Sequence, residues 1–397
     1  MVSTAYARSM RIHRSGNSPP QRRIHLAGSH FRWLSGENQE KHHQASGGLP
    51  VVPGFRLSNN MCVSTTAEGD KSVQLAGEGS ARKFWGHPVV TLLIAFVLFG
   101  PVVGLGFQLL PQIMAGLAGQ TLPDDGGLPT ESGPLIALSV GKFVTAILLA
   151  LLSLWLYRTV IVRFCEGRRV ATELAFTSTA RKWLIIGTLL SVGVAALTIG
   201  SIALLGDGVS SVAGSPVVAG LAWSLGLAIF AGVAEELLAR GSIYRITEQH
   251  LGSAIAFVIT SVIFALQHAG NPDATFLSTL AVGIEGGTML AAVYVLTRTL
   301  WAPIAVHAAW NFSQSILTIP VSGNETVGAM KLQLAGPDWL TGGSFGLEPA
   351  ALALGTWTLL TLVLLAMVAK RKLGISLEVA RANVANGTGN QPIGISS

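Results

Sequence analysis

Charge is what this chain has least of. Only 12% of its 397 residues are Asp, Glu, Lys or Arg, while 50% are hydrophobic. An ordinary globular protein carries about 25% charged residues, so a single soluble domain would lack the polar surface to cover its core. A disordered chain, which needs low hydrophobicity and high charge, is excluded on the same numbers. The mean hydropathy of +0.54 points to a bilayer as solvent. Cysteine is nearly absent as well. Cys62 and Cys165 lie far apart and form no CxxC, so neither a disulfide framework nor a cysteine-based zinc site is implied. The pI of about 9.6 and net charge of +6 do not mark a nucleic-acid binder, because the basic residues flank apolar runs instead of forming one patch.

Composition changes near residue 84. Residues 1–83 are rich in Ser, Gly, Arg and His, with Arg22-Arg23 and His42-His43, and read as a disordered basic arm. No apolar stretch follows its positive start, so it is not a signal peptide, and Met61 is an alternative start that would remove most of it. The adjacent histidines lack any further ligand spacing and read as solvated. Residues 84–372 read as the membrane domain, with a core at 217–315, and 373–397 as a short polar tail.

From residue 88 apolar runs long enough to cross a bilayer recur. They are expected near 88–110, 135–157, 183–205, 217–239, 251–268, 276–297, 301–319 and 350–369, eight in all. The fold class is thus all-α and polytopic. Arg82-Lys83, Arg158–Arg169 with Arg181-Lys182, Arg240 with Arg245, Arg298 and Lys370-Arg371-Lys372 fall on one side. Asp124-Asp125 with Glu131, Asp207, Asp273 and the 320–349 loop with Glu325, Asp338 and Glu348 fall on the other. The positive-inside rule then places both termini in the cytoplasm.

A charged group inside a bilayer costs about 2.5–3.5 kcal/mol on the insertion scale. The apolar runs hold few: Lys142, Glu235, Glu236, Arg240 and Glu285, with the histidines His268 and His307. Glu236 and Arg240 stand four apart on one helix face and can pair. Glu235 is rotated about 100° away and is free to face a cavity. It lies about sixteen residues before the Leu251-Gly252 turn and His268 about sixteen after it, so the two should reach similar depth. His307 and Asn311, also four apart, point two neutral hydrogen-bonding groups the same way. Counting from Arg298 makes His307 shallower than Glu235, unless the polar 241–250 stretch extends the helix past the bilayer.

Glu235-Glu236-xxx-Arg240, Phe264-xxx-His268 and His307-xxx-Asn311, in this order and led into by Leu300-Trp301-Ala302-Pro303-Ile304, resemble the three motifs of the CPBP family. These are the CAAX-protease and bacteriocin-processing intramembrane proteases, also called the Abi family. The resemblance spans about residues 217–315. It implies that Glu235 is the catalytic glutamate and His268 the histidine acting with it on a water. His307 and Asn311 would stabilise the oxyanion, and Glu236 and Arg240 would support the motif. Lys142 and Glu285 match no family motif and are expected in a buried ion pair or at a helix end facing a cavity.

The expected activity is peptide-bond hydrolysis near the cytoplasmic membrane face, on a peptide or membrane-protein substrate. The expected location is a membrane crossed several times, the plasma (inner) membrane if the cell is bacterial, with lipids but no nucleic acid as partners. No metal is expected to be required; zinc held by Glu235, His268 and His307 is the alternative. HExxH and GxGD are both missing. A catalytically silent scaffold or immunity factor of the same fold, and an ion-coupled transporter, are the other function classes; the lack of an internal repeat speaks against the transporter.

Overall fold

A computed structural model describes residues 84–123 and 127–386. The arm at 1–83, with His42-His43 and Cys62, lies outside the described residues, as do Asp124-Asp125.

The described chain is mostly helical. Its helices are α1 (Pro88–Leu117), α2 (Ser132–Cys165), α3 (Ser178–Leu205), α4 (Val217–Leu251), α5 (Ser253–His268) and α6 (Phe276–Thr297), followed by α7 (Trp301–Ser315), a short α8 (Asp338–Thr341), α9 (Ala351–Lys370) and α10 (Leu377–Ala385). One hairpin-like pair joins two distant loops: β1 (Gly208–Ala213) runs antiparallel to β2 (Met330–Ala335), with Gly208 opposite Ala335.

All eight expected apolar runs are helices, but six of them, α1 to α4, α6 and α9, have the length and apolarity to cross a membrane. The expected count of eight is therefore not reached by that measure. The two that fall short, α5 and α7, have 16 and 15 residues. At 1.5 Å rise that is about 23 Å, short of a hydrocarbon core of about 30 Å. These short helices carry His268 and His307.

Burial separates centre from rim. In α4 and α6, 61% and 67% of the most apolar stretch is buried, against 22% in α1 and 28% in α3 and α9. Glycines set how closely the central helices meet. A Cβ on Gly232 of α4 would meet the Ala308 Cβ of α7 at 2.9 Å, and one on Gly287 of α6 would meet the Ser261 Cα of α5 at 2.6 Å. Small residues at crossings let helix backbones pack without a hydrophobic driving force, which lipid cannot supply. Several helices also contain wide π-type turns, among them Ala231–Glu235 and Leu237–Tyr244 in α4. Such turns inside α-helices often mark functional positions.

One end of the bundle is closed by charge. Arg168 bonds Glu166 and Glu173, Arg245 bonds Glu166, and the Tyr157 hydroxyl donates to Glu173 and lies 2.9 Å from the Gly241 carbonyl oxygen. Arg298, in the left-handed conformation between α6 and α7 (φ 51°), pairs with Glu248 and donates to the Leu373 carbonyl. These basic residues thus share one end. Burial alone would push the Glu173 carboxyl up; the Arg245 charge and the Arg168 hydrogen bond outweigh it and hold it at about 2.

Candidate functional site

α4 runs unbroken through Leu251, so the polar 241–250 stretch does continue the helix. Glu235 therefore lies well inside the bundle, and the depth discrepancy with His307 disappears. The Glu235 Oε2 atom is 4.0 Å from His268 Nε2 and 3.9 Å from His307 Nε2. Three helices, α4, α5 and α7, deliver these atoms to one point. Glu235 remains 33% exposed in its side chain, so it faces open space.

Its neighbour in sequence does the opposite. Glu236 is fully buried and accepts from Arg240 at 2.8 Å. The same oxygen, Oε1, lies 2.8 Å from His307 Nδ1. Arg240 also donates to the Gly287 carbonyl at 2.9 Å and sits 5.1 Å from the Phe264 ring centroid. The motif arginine is thus spent on structure: it ties α4 to α6 and neutralises the acid that orients His307.

These bonds fix the histidine tautomers. His268 Nδ1 lies 2.8 Å from the Phe264 carbonyl, which can only accept, so Nδ1 carries hydrogen. His307 Nδ1 faces a carboxylate and carries hydrogen for the same reason. Both Nε2 atoms are then lone pairs in the neutral rings, and both face the Glu235 carboxylate. Three acceptors within about 4 Å repel unless a hydrogen donor stands among them. A water molecule, or a proton on one ring, meets that need. The Phe264 ring stacks on His268 (centroids 4.9 Å apart) and meets His307 edge-on at 6.1 Å, setting both rings from the apolar side.

A chamber of about 480 Å³ lies over Glu235 and is lined by His268, His307 and Asn311. Asn311 is 6% exposed and lines the chamber, and its side chain makes no hydrogen bond to another described residue, which leaves its amide available to that space. The far wall includes Gly127, Leu128, Asn271, Asn324 and Glu325, all in connections of the acid-rich side. The ion-pair layer occupies the basic end, and the chamber lining reaches the acid-rich connections.

Behind His307 and Asn311 a second cavity of about 40 Å³ is lined by Glu285, Glu348, Trp310 and Trp357. Neither Glu285 oxygen has a hydrogen-bond partner among the described residues. Glu285 therefore faces a cavity and forms no ion pair with Lys142, which lines the main chamber instead. Glu348, placed from sequence in an outer loop, is 3% exposed and takes hydrogen bonds from Gln314 and Ser322. Burial pushes its carboxyl up, against the pull of those bonds.

As a metal site the arrangement is incomplete. The anchoring of each ring's second nitrogen, on a carbonyl and on a carboxylate, is the outer-shell pattern of zinc-ligating histidines. Yet among the described residues no three His, Cys, Asp or Glu side chains are arranged to hold a metal ion.

Six residues from three motifs meet in one place, and they fall within one stretch of chain. Residues 217–313 match the Rce1-like family, type II CAAX prenyl endopeptidases. The resemblance read from the motifs is thereby shown over α4 to α7, about a quarter of the chain. No curated protein and no solved structure matches. The Rce1-like segment points to a peptidase, and together with the six apolar helices it indicates a multi-pass membrane protein.

Proposed function

We propose that the chain is an intramembrane endopeptidase of CAAX-protease type that hydrolyses a peptide bond with a water activated by Glu235 and His268. The convergence of Glu235, His268 and His307 within 4.0 Å carries this reading. The water donates to the Glu235 carboxylate and the His268 Nε2 lone pair. Glu235 removes its proton as the oxygen attacks the substrate carbonyl. The negative charge forming on the carbonyl oxygen is met by the Asn311 amide and by a proton on His307 Nε2, while the His307 Nδ1–H remains on Glu236. Collapse of the tetrahedral species transfers the proton from Glu235 to the leaving amine. No metal enters this sequence of steps.

Glu236 and Arg240 act through His307 and do not touch the substrate. Substrate reaches the site through the chamber, from the acid-rich end. Under the positive-inside rule that end is the non-cytoplasmic one, so the reading favours polypeptide segments outside the cytoplasm. The test is a comparison of peptide termini in membranes carrying the wild-type protein and Glu235→Gln. New termini confined to the wild type are expected. Identical sets of termini, with both proteins inserted at equal level, would remove the peptidase reading and favour a silent scaffold.

A further inference from the structure

Among the described residues, four glutamates with buried side chains are matched by arginine. Glu236 pairs with Arg240, Glu166 with Arg168 and Arg245, Glu173 with Arg168, and Glu248 with Arg298. Glu285 and Glu348, 6% and 3% exposed, have no such partner among the described residues. Glu285 sits in the wide turn Gly283–Met289 of α6, and Glu348 in the segment entering α9. Both line the cavity of about 40 Å³ behind His307 and Asn311, and they are close enough for the Glu348 charge to act on Glu285.

Three of their four oxygens, both of Glu285 and Oε2 of Glu348, lack a hydrogen-bond partner among the described residues. No Lys or Arg lines the cavity. Its two histidines are committed elsewhere, with Nδ1 on the Phe264 carbonyl and on Glu236 and Nε2 facing Glu235.

An isolated carboxylate in an apolar site either takes up a proton or acquires a positive partner, because the bare charge is too costly. The donors around this pair select the second course. Gln314 Nε2, the Ser322 amide and the Ser322 hydroxyl all donate to Glu348 Oε1, the environment of a charged carboxylate. The Nε1–H groups of Trp310 and Trp357, which line the same cavity, have no acceptor among the described residues. A proton on each acid would add two more donors and leave one free carbonyl oxygen to receive all four. A single shared proton would leave one negative charge unmatched. A cation neutralises the pair and keeps every oxygen an acceptor.

Size and donor set narrow the choice of ion. The cavity has room for about three water-sized molecules, at roughly 10–15 Å³ each. Its free ligands are oxygens, and no three His, Cys, Asp or Glu side chains are grouped among the described residues, which speaks against a transition metal. Magnesium is commonly held by one or two carboxylates while keeping several waters, and calcium takes carboxylate and water oxygens. The double charge of either ion cancels both carboxylates.

We propose that Glu285 and Glu348 bind a hard divalent cation, calcium or magnesium, with its waters, and that this ion fastens α6 to the segment entering α9. The cavity shares His268, His307, Asn311 and Ser322 with the main chamber, which gives the ion a route from the acid-rich end. The ion takes no part in the chemistry at Glu235, and the site stands whether or not that chemistry is peptide hydrolysis.

The purified full-length protein in detergent is stripped with chelator, dialysed into potassium buffer of fixed ionic strength, and unfolded by heat. Calcium, magnesium or sodium chloride is added in separate series. Calcium or magnesium should raise the unfolding midpoint saturably, with half the effect at about 10⁻⁴–10⁻³ M, the range of calcium modules outside the cytosol. Calorimetric titration should count one ion per chain, and the stronger of the two series identifies it. Glu285→Gln should lose the rise, yet in chelator it should match or exceed the wild-type midpoint, because a stranded charge is gone. Glu285→Asp should keep the rise at higher ion concentration. Below the midpoint, chelation should leave peptidase activity in place.

An equal rise with all three salts, or none with either divalent ion, overturns the proposal. So does a divalent response that survives in both Glu285→Gln and Glu348→Gln. If Glu285→Gln does not insert, Glu348→Gln decides alone: loss of the response upholds the site, and its survival drops it.

Discussion

One carboxylate oxygen, Glu236 Oε1, lies 2.8 Å from both Arg240 and His307 Nδ1. An acid with no exposure to the chamber thus sets the orientation and tautomer of a ring that does face it. Two adjacent glutamates are separated into different tasks by the 100° step of the helix: Glu235 turns to the chamber, Glu236 to the interior.

Glu236→Gln should therefore lose both stability and activity. Removing one partner of a buried pair strands the other charge, at a cost of about 3–5 kcal/mol, read as a lower unfolding midpoint in detergent. The double variant Glu236→Gln with Arg240→Met removes both charges and should recover most of that stability. Activity should stay low in it, because His307 Nδ1 has lost its carboxylate. Recovery of activity together with stability would show that Glu236 serves only to neutralise Arg240.

Much of this site is legible from spacing alone. The four-residue intervals Glu236–Arg240, Phe264–His268 and His307–Asn311 are periodicities of one helix, and equal distances from a turn put Glu235 and His268 at one depth. What spacing does not carry is contact between distant parts of the chain. The His307–Glu236 bond joins residues 71 apart, and Gln314 with Glu348 folds the 320–349 loop inward, where charge alone suggested a solvated outer loop. The count of spans differs between sequence and structure for a related reason. Apolar runs at 251–268 and 301–319 read as crossings, but their helices end after 16 and 15 residues.

The ion-pair layer predicts an acid limit to stability. Glu173 is 4% exposed in its side chain and is held at about 2, below its ordinary value of 4.5, by Arg245 and Arg168 against the opposing effect of burial. A depressed carboxyl contributes stability that is present above the unfolded value and lost as pH falls through the folded one. The interval corresponds to about 3 kcal/mol. Unfolding midpoints should hold steady down to about pH 5 and then fall toward pH 2. Glu173→Gln should be less stable at neutral pH and should show a shallower acid loss over the same window. An equal acid slope in both proteins would place the titrating group elsewhere.

Membrane orientation follows from charge and helix order together. Reporter fusions after residues 125 and 330 should report the outer side, and a fusion at residue 372 the cytoplasm. Because Asn271 and Asn324 line the chamber, cysteines placed there should react with a membrane-impermeant thiol reagent added outside intact cells. Labelling only after the membrane is opened would put the chamber on the cytoplasmic face and reverse the route of substrate entry. Opposite locations for the two termini would end the expected topology with both ends in the cytoplasm.

Two features of the site pull apart on whether it holds a metal. His268 and His307 each anchor their second nitrogen, on the Phe264 carbonyl and the Glu236 carboxylate, as zinc ligands do. Their Nε2 atoms nevertheless stand 3.9–4.0 Å from Glu235, and this set is not arranged to hold an ion. A zinc–nitrogen bond of about 2.0–2.1 Å with an oxygen at a similar distance brings tetrahedral donors to about 3.4 Å of each other, so the helices would have to draw in. The tautomers supply a separate argument. Two lone pairs beside a carboxylate are satisfied by one water and one proton, which is the set that hydrolysis requires. Activity should accordingly persist in excess chelator, and elemental analysis of the purified protein should find well under one zinc per chain. Added zinc should inhibit by occupying the two Nε2 atoms and removing the base. Stoichiometric zinc, with activity lost on chelation and restored by zinc alone, would assign the water to a metal and recast Glu235 as a ligand.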